Sequence, residues 1–140
     1  MRKIDEGKIY RIIDANLNRA KEGLRVCEDI ARFIFDNKKL TGQYKSVRHK
    51  LSSVLDGLPF KKINAIKARD IGDDVGKKSI AVELERKNVK DIFLANSQRV
   101  KESVRVLEEF TKLLSGKTAR GFKRLRYKIY ALEKDIVKKF

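Results

Sequence analysis

Two asparagines and two arginines stand at the same spacing in distant parts of this chain: Asn16 with Arg19, and Asn96 with Arg99. Each pair is followed four residues on by a small residue, Gly23 or Ser103. An asparagine carries both donors and acceptors, and a guanidinium presents a rigid fork that matches phosphate oxygens. That pattern points to recognition of a phosphorylated ligand. Glu22 and Glu102 sit three residues after each arginine, where a carboxylate can orient a reacting group or pair with a cation. A third group lies in "KARDIGDDVGKKS": Asp70, Asp73 and Asp74, carboxylates of the kind that hold Mg2+ beside a phosphate. Their competing role is a solvated turn built from Asp and Gly. The stretch "GDDVGKKS" is not a nucleotide-binding loop: three residues separate Gly72 from Gly76 where that motif needs four, and two lysines precede Ser79.

The residues recur because their carriers recur. "ANLNRAKEGLRVCEDIARFI" (Ala15 to Ile34) and "ANSQRVKESVRVLEEFTKLL" (Ala95 to Leu114) align without a gap and match at eight of twenty positions. "YKSVRHKL" (Tyr44 to Leu51) aligns in the same way with "FKRLRYKI" (Phe122 to Ile129), which pairs Arg48 with Arg126. Apolar residues at Ile9, Ile12, Ile13, Leu17, Ala20, Leu24, Cys27 and Ile30 follow the spacing of an amphipathic helix, which Asp36-Asn37 would end. A second helix is expected from about Thr41, as its N-cap, to a stop at Gly57 and Pro59. The repeated unit is thus a helical hairpin. The expected fold is an all-α bundle of two such hairpins, 8–58 and 89–139, with pseudo-twofold symmetry and a connecting loop at 59–88. Ser79 to Leu84 would be short extended structure.

On a helical wheel Asn16, Arg19 and Gly23 fall inside the apolar face, as do Asn96, Arg99 and Ser103 in the second copy. Glu22 and Glu102 lie at its edge, and Asp14, Arg25 and Asp29 point away. A buried guanidinium needs a partner or a ligand. Packed hairpins would let Arg19, Arg48, Arg99 and Arg126 converge near the pseudo-twofold axis, with the small residues leaving room between helices. The alternative is that each arginine pairs with a glutamate of its own hairpin. Arg25 and Arg105 read as structural partners of nearby glutamates.

Composition narrows the classes further. A chain of 140 residues with 41% hydrophobic content can bury a core as one domain. No apolar run approaches the roughly 18 residues that a membrane span needs. The start lacks an apolar signal region, so a cytoplasmic protein is expected. The single cysteine, Cys27, offers no disulfide or metal pair and belongs to the core. The lone His49 aligns with Tyr127 and reads as a surface or packing residue. A net charge of +16 admits nucleic acid, small polyanions or a thermophile surface. Nucleic acid ranks last, because the basic residues are interleaved with acids and the repeated polar residues point inward.

"RIIDANLNRAKEGLRVCEDIARF", "RHKL", "ARDIGDDVG", "LANSQRVKESVRVLEEFTK" and "LRYKIYALE", in that order, closely resemble the hydroxymethylpyrimidine phosphate kinase domain found N-terminal to thiamin-phosphate synthase. The likeness runs from about Tyr10 to Glu133. Arg69, Asp70, Asp74, Val75 and Gly76 fit that family's Arg-Asp-x-x-x-Asp-Val-Gly loop. The synthase barrel does not accompany them here. The resemblance implies a phosphomethylpyrimidine kinase, a phosphotransferase of thiamin biosynthesis. It would use ATP and Mg2+ to convert 4-amino-5-hydroxymethyl-2-methylpyrimidine phosphate to its diphosphate. In that scheme Arg19 and Arg99 hold phosphates, with Arg48 and Arg126 assisting. Asn16 and Asn96 bond the pyrimidine or a phosphate, Glu22 or Glu102 orients the attacking phosphate, and Asp70, Asp73 and Asp74 bring the metal. The rival expectation is a non-catalytic module that binds pyrimidine phosphate or docks on the synthase. A homodimer is left open.

Overall fold

The computed structural model describes residues 5–58, 62–74, 76 and 85–140. Among them no strand occurs, so the all-α expectation holds. Helix α1 spans Glu6–Asp29 and continues into a five-residue π-helical turn, Ile30–Ile34. Asp5 caps its start by accepting from the Gly7 N–H at 2.9 Å. The widened turn and Asp36, at φ 49, end the first helical run. Helix α2 spans Lys38–Val54 and α3 Lys62–Lys67, while α4 spans Val89–Thr111 and α5 Gly116–Val137.

The cap of α2 differs from the expected one. Asn37, not Thr41, supplies it by accepting from the Leu40 N–H at 2.9 Å. Thr41 lies one turn inside and returns its hydroxyl to the Asn37 carbonyl at 2.7 Å. Gly57, at φ 92, closes the turn after α2 as expected, while Pro59 lies outside the described residues. Asn88 caps α4 and Ser115 caps α5 by the same side-chain device. The connecting segment is not loop throughout, because α3 forms within it. The extended stretch expected from Ser79 to Leu84 lies outside the described residues.

Helix α1 packs on α2 and α4, and α5 packs on α4 and α2, while α3 lies against α1. The shared core includes Ile13, Leu24, Val47, Leu51, Phe93, Val100, Val104, Leu107, Phe122 and Ile129, all 1% exposed or less. Each such side chain contributes on the order of 1.5–3 kcal/mol by leaving water.

The small residues of the repeat have a different use from the expected one. A Cβ at Gly23 would stand 2.6 Å from Val100 Cγ2 and 3.0 Å from the Asn96 carbonyl oxygen. Glycine there lets α1 and α4 touch, and Val100 fills the space expected for a ligand. Gly121 does the same between α5 and α2, where a Cβ would lie 2.9 Å from Val54 Cγ1.

Gly23→Ala adds a methyl into backbone and a core valine. Overpacking of this kind costs about 1–3 kcal/mol, and alanine's better helix propensity returns about 1. A lower urea midpoint with unchanged slope is expected; an unchanged midpoint would show that the helices part freely. Cys27 is 1% exposed, and burial pushes its thiol up from 9.0 to about 12. At pH 8 it should resist a thiol reagent in the folded protein and react at once in denaturant.

Candidate functional site

The repeated glutamates Glu28 and Glu108 are buried, 3% and 4% exposed, and each carries two arginines. Arg25 reaches Glu28 at 3.0 Å from the preceding turn of α1, and Arg48 reaches it from α2 with Nε and Nη2, both at 3.3 Å. The second copy repeats the arrangement: Arg105 lies 3.3 Å from Glu108, and Arg126 of α5 donates through Nε at 3.0 Å. Burial disfavours the Arg126 charge, but hydrogen bonds to Glu108 and Tyr130 outweigh it and raise the guanidinium's pKa. Arg126 also stacks over the Tyr127 ring at 5.2 Å. Arg48 and Arg126 therefore stitch α2 to α1 and α5 to α4. The glutamates that hold them are Glu28 and Glu108, whereas Glu22 and Glu102 are exposed.

The arginines of the repeated Asn-x-x-Arg pattern are not buried. Arg19 and Arg99 are exposed. Arg99 stands 3.9 Å from Glu22, both side chains more than half exposed. Glu102 accepts from Gln98 at 3.1 Å. Asn16 is buried and Asn96 half-buried, and each amide donates to its own helix, to Ile12 O at 2.9 Å and Ile92 O at 2.8 Å. His49 is exposed, as expected.

What the structure does bring together is a pocket of about 520 Å³ along the N-terminal half of α1. Its helix side carries Lys8, Arg11, Ile12, Asn16 and Arg19, and its opposite wall carries Arg69, Asp70, Ile71 and Asp74. Arg48, Arg99 and Arg126 do not line it. Asp73 is exposed outside the lining, and among the described residues no three His, Cys, Asp or Glu side chains are grouped to hold a metal ion. Asp70 and Asp74 instead accept from the backbone N–H groups of Asp73, at 3.0 Å, and Gly76, at 2.9 Å.

Between the walls lies a residue placed wrongly by the wheel. Asp14 is 5% exposed, not turned away, and binds Arg69 through both oxygens at 2.7 and 2.9 Å. The hydrogen bond to Asp14 is the main cause of the raised pKa of Arg69. The wheel failed because it counted only the apolar face of α1, while the segment after α3 covers a second, polar face. Lys8 and Arg11 were also missed, although their spacing to Arg19 puts all three along one side of the helix.

Fold and pocket together define an all-helical domain with a cation-lined cleft on its first helix. Residues 11–135 match the ThiD2 family, and the chain belongs to that family. It is 39% identical to a thiamine-phosphate synthase of Synechocystis sp. over 98% of this chain and 38% of the relative. Identity is 38% to the synthase of Nostoc punctiforme, over 92% of this chain and 35% of that protein. With the synthase of Rhodopirellula baltica it is 33%, over 97% and 36%. The chain spans little more than a third of the length of these relatives. No solved structure matches it.

These matches correct the expected activity. The relatives carry the name of a synthase, not of a phosphomethylpyrimidine kinase, so phosphorylation of the pyrimidine phosphate by this chain is unsupported. The expectation of ATP and Mg2+ came from that reaction. No helix among the described residues is long and apolar enough to cross a membrane.

Glu108→Ala strands Arg126, whose side chain is 12% exposed. Loss of one partner from a buried pair costs about 3–5 kcal/mol. A large drop in the urea midpoint is expected, and Glu28→Ala should match it in direction. A shift within error for either variant would show that the pair is not holding its two helices.

Proposed function

We propose that this domain is a non-catalytic module of thiamin biosynthesis that binds a pyrimidine phosphate and docks with a thiamine-phosphate synthase. One observation carries the reading. Lys8, Arg11 and Arg19 line the same pocket, and among the described residues none of them is in an ion pair. Arg25, Arg48, Arg69, Arg105 and Arg126 all hold carboxylates. Three unanswered cations within about 16 Å of helix favour an anion, and the guanidinium fork favours a phosphate. Beside them Ile12 and Ile71 offer an apolar surface for a flat ring, with Asn18 and the carboxylates of Asp70 and Asp74 as polar partners for its amino group. The pocket is about 520 Å³, within the range of small-molecule sites. Family membership and the names of the relatives support both the pathway and the partner. The two hairpins, with their matching Arg–Glu–Arg groups, fit a pseudo-twofold scaffold that carries the pocket on its first copy.

Calorimetric titration of 4-amino-5-hydroxymethyl-2-methylpyrimidine phosphate into the full chain should show one site. Its affinity should fall as salt rises. Arg19→Ala removes a charge-assisted contact worth about 1.5–3 kcal/mol, so affinity should drop roughly 10- to 100-fold. Arg99→Ala, outside the pocket, should leave it unchanged. Equal losses from the two variants, or no heat with the unaltered protein, would sink the reading.

A further inference from the structure

Asp14 and Arg69 lie 55 residues apart and join α1 to the segment that follows α3, the short helix that itself lies against α1. Asp14 Oδ2 accepts from Arg69 Nε at 2.7 Å, and Oδ1 accepts from Arg69 Nη2 at 2.9 Å and from Asn18 Nδ2 at 3.3 Å. The carboxylate is 7% exposed and the guanidinium side chain 36%. A two-pronged bond of this kind fixes orientation as well as distance. It fastens the start of the segment 69–74 onto α1, at the point where that segment leaves α3. The residues that follow, Asp70, Ile71 and Asp74, are the wall that faces Lys8, Arg11 and Arg19.

We propose that Asp14 and Arg69 work as a single positioning unit that builds the pocket's second wall, and that Arg69 does not itself hold the ligand's phosphate. This rests on the pocket being the pyrimidine-phosphate site. Two of the three guanidinium nitrogens are committed to Asp14, and the negative carboxylate neutralises the charge a phosphate would seek. Phosphate binding falls to the three cations of α1. Arg69 sets the gap across which they act. The pair also explains why an acid stands in the middle of a cationic cleft: it is there for Arg69, not for the ligand.

The proposal is tested on the full chain with Asp14→Asn, Arg69→Gln and the double variant. Two readouts are taken: hydrogen exchange of the amides in 70–74 without ligand, and affinity for the pyrimidine phosphate by calorimetry. Each single variant should speed exchange in 70–74 by a similar factor while amides of α4 and α5 keep their protection. Each should weaken binding about tenfold, from loss of a charge-assisted bond. The double variant should lose no more than either single one, because the second change removes an interaction already gone. Losses that add, or a larger loss from Arg69→Gln than from Asp14→Asn, mean that Arg69 contacts the ligand, and the proposal falls. Unchanged exchange in both single variants also overturns it. Should Asp14→Asn not fold, Arg69→Lys takes its place, keeping the charge without the two-pronged bond. Faster exchange in 70–74 then supports the unit, and unchanged exchange refutes it. If exchange responds as expected but the unaltered protein binds no pyrimidine phosphate, the positioning unit stands and the reading of the pocket as that ligand's site is what fails.

Discussion

A carboxylate cannot stay charged inside a helical bundle unless a cation is brought to it, and three carboxylates impose that demand here. Asp14 and Glu28 on α1 and Glu108 on α4 are all 5% exposed or less. Each is answered from another element: Asp14 by Arg69 after α3, Glu28 by Arg48 of α2, and Glu108 by Arg126 of α5. The pair α1–α4 is thus a spine whose buried acids fix where everything else attaches. Apolar packing supplies most of the favourable free energy, but it is tolerant of small slides and rotations. The ion pairs are not, because a carboxylate shifted by one helical turn would be left alone.

This constraint divides the cations of a strongly basic chain. Arginines that answer buried acids are structural, and their forks are largely used. Arg19, Lys8 and Arg11 line the stretch of α1 that faces the short irregular segment 69–74. Function is read from that division and not from the net charge, which is common to both groups.

The two copies of the internal repeat carry matching Arg–Glu–Arg groups, and their first helices, α1 and α4, pack together. Asn16 and Asn96 both turn their amides back to their own helices, and Gly23 is needed for the α1–α4 contact. What the copies share is the Arg–Glu–Arg group and the helix contact. Among the described residues, the segment 69–74 adds a pocket wall to α1, the helix of the first copy.

Periodicity determined the long helices, through the apolar residues from Ile9 to Ile30 and their counterparts in the second copy, but not α3, which forms inside the expected loop. It also placed Cys27 in the core and Arg25 and Arg105 between glutamates at three-residue spacing, of which the structure pairs Glu28 and Glu108. The family was legible as well, in five ordered motifs, while the kinase activity attached to it was not carried by the relatives. The tertiary structure decided the fate of each long polar side chain. A wheel ranks residues by one face, yet α1 is covered on two, by α4 and by the segment after α3. That second covering buried Asp14, claimed Arg69 and left Arg19 facing a pocket. No local pattern reports it, because Asp14 and Arg69 meet only after 55 residues of intervening chain have folded.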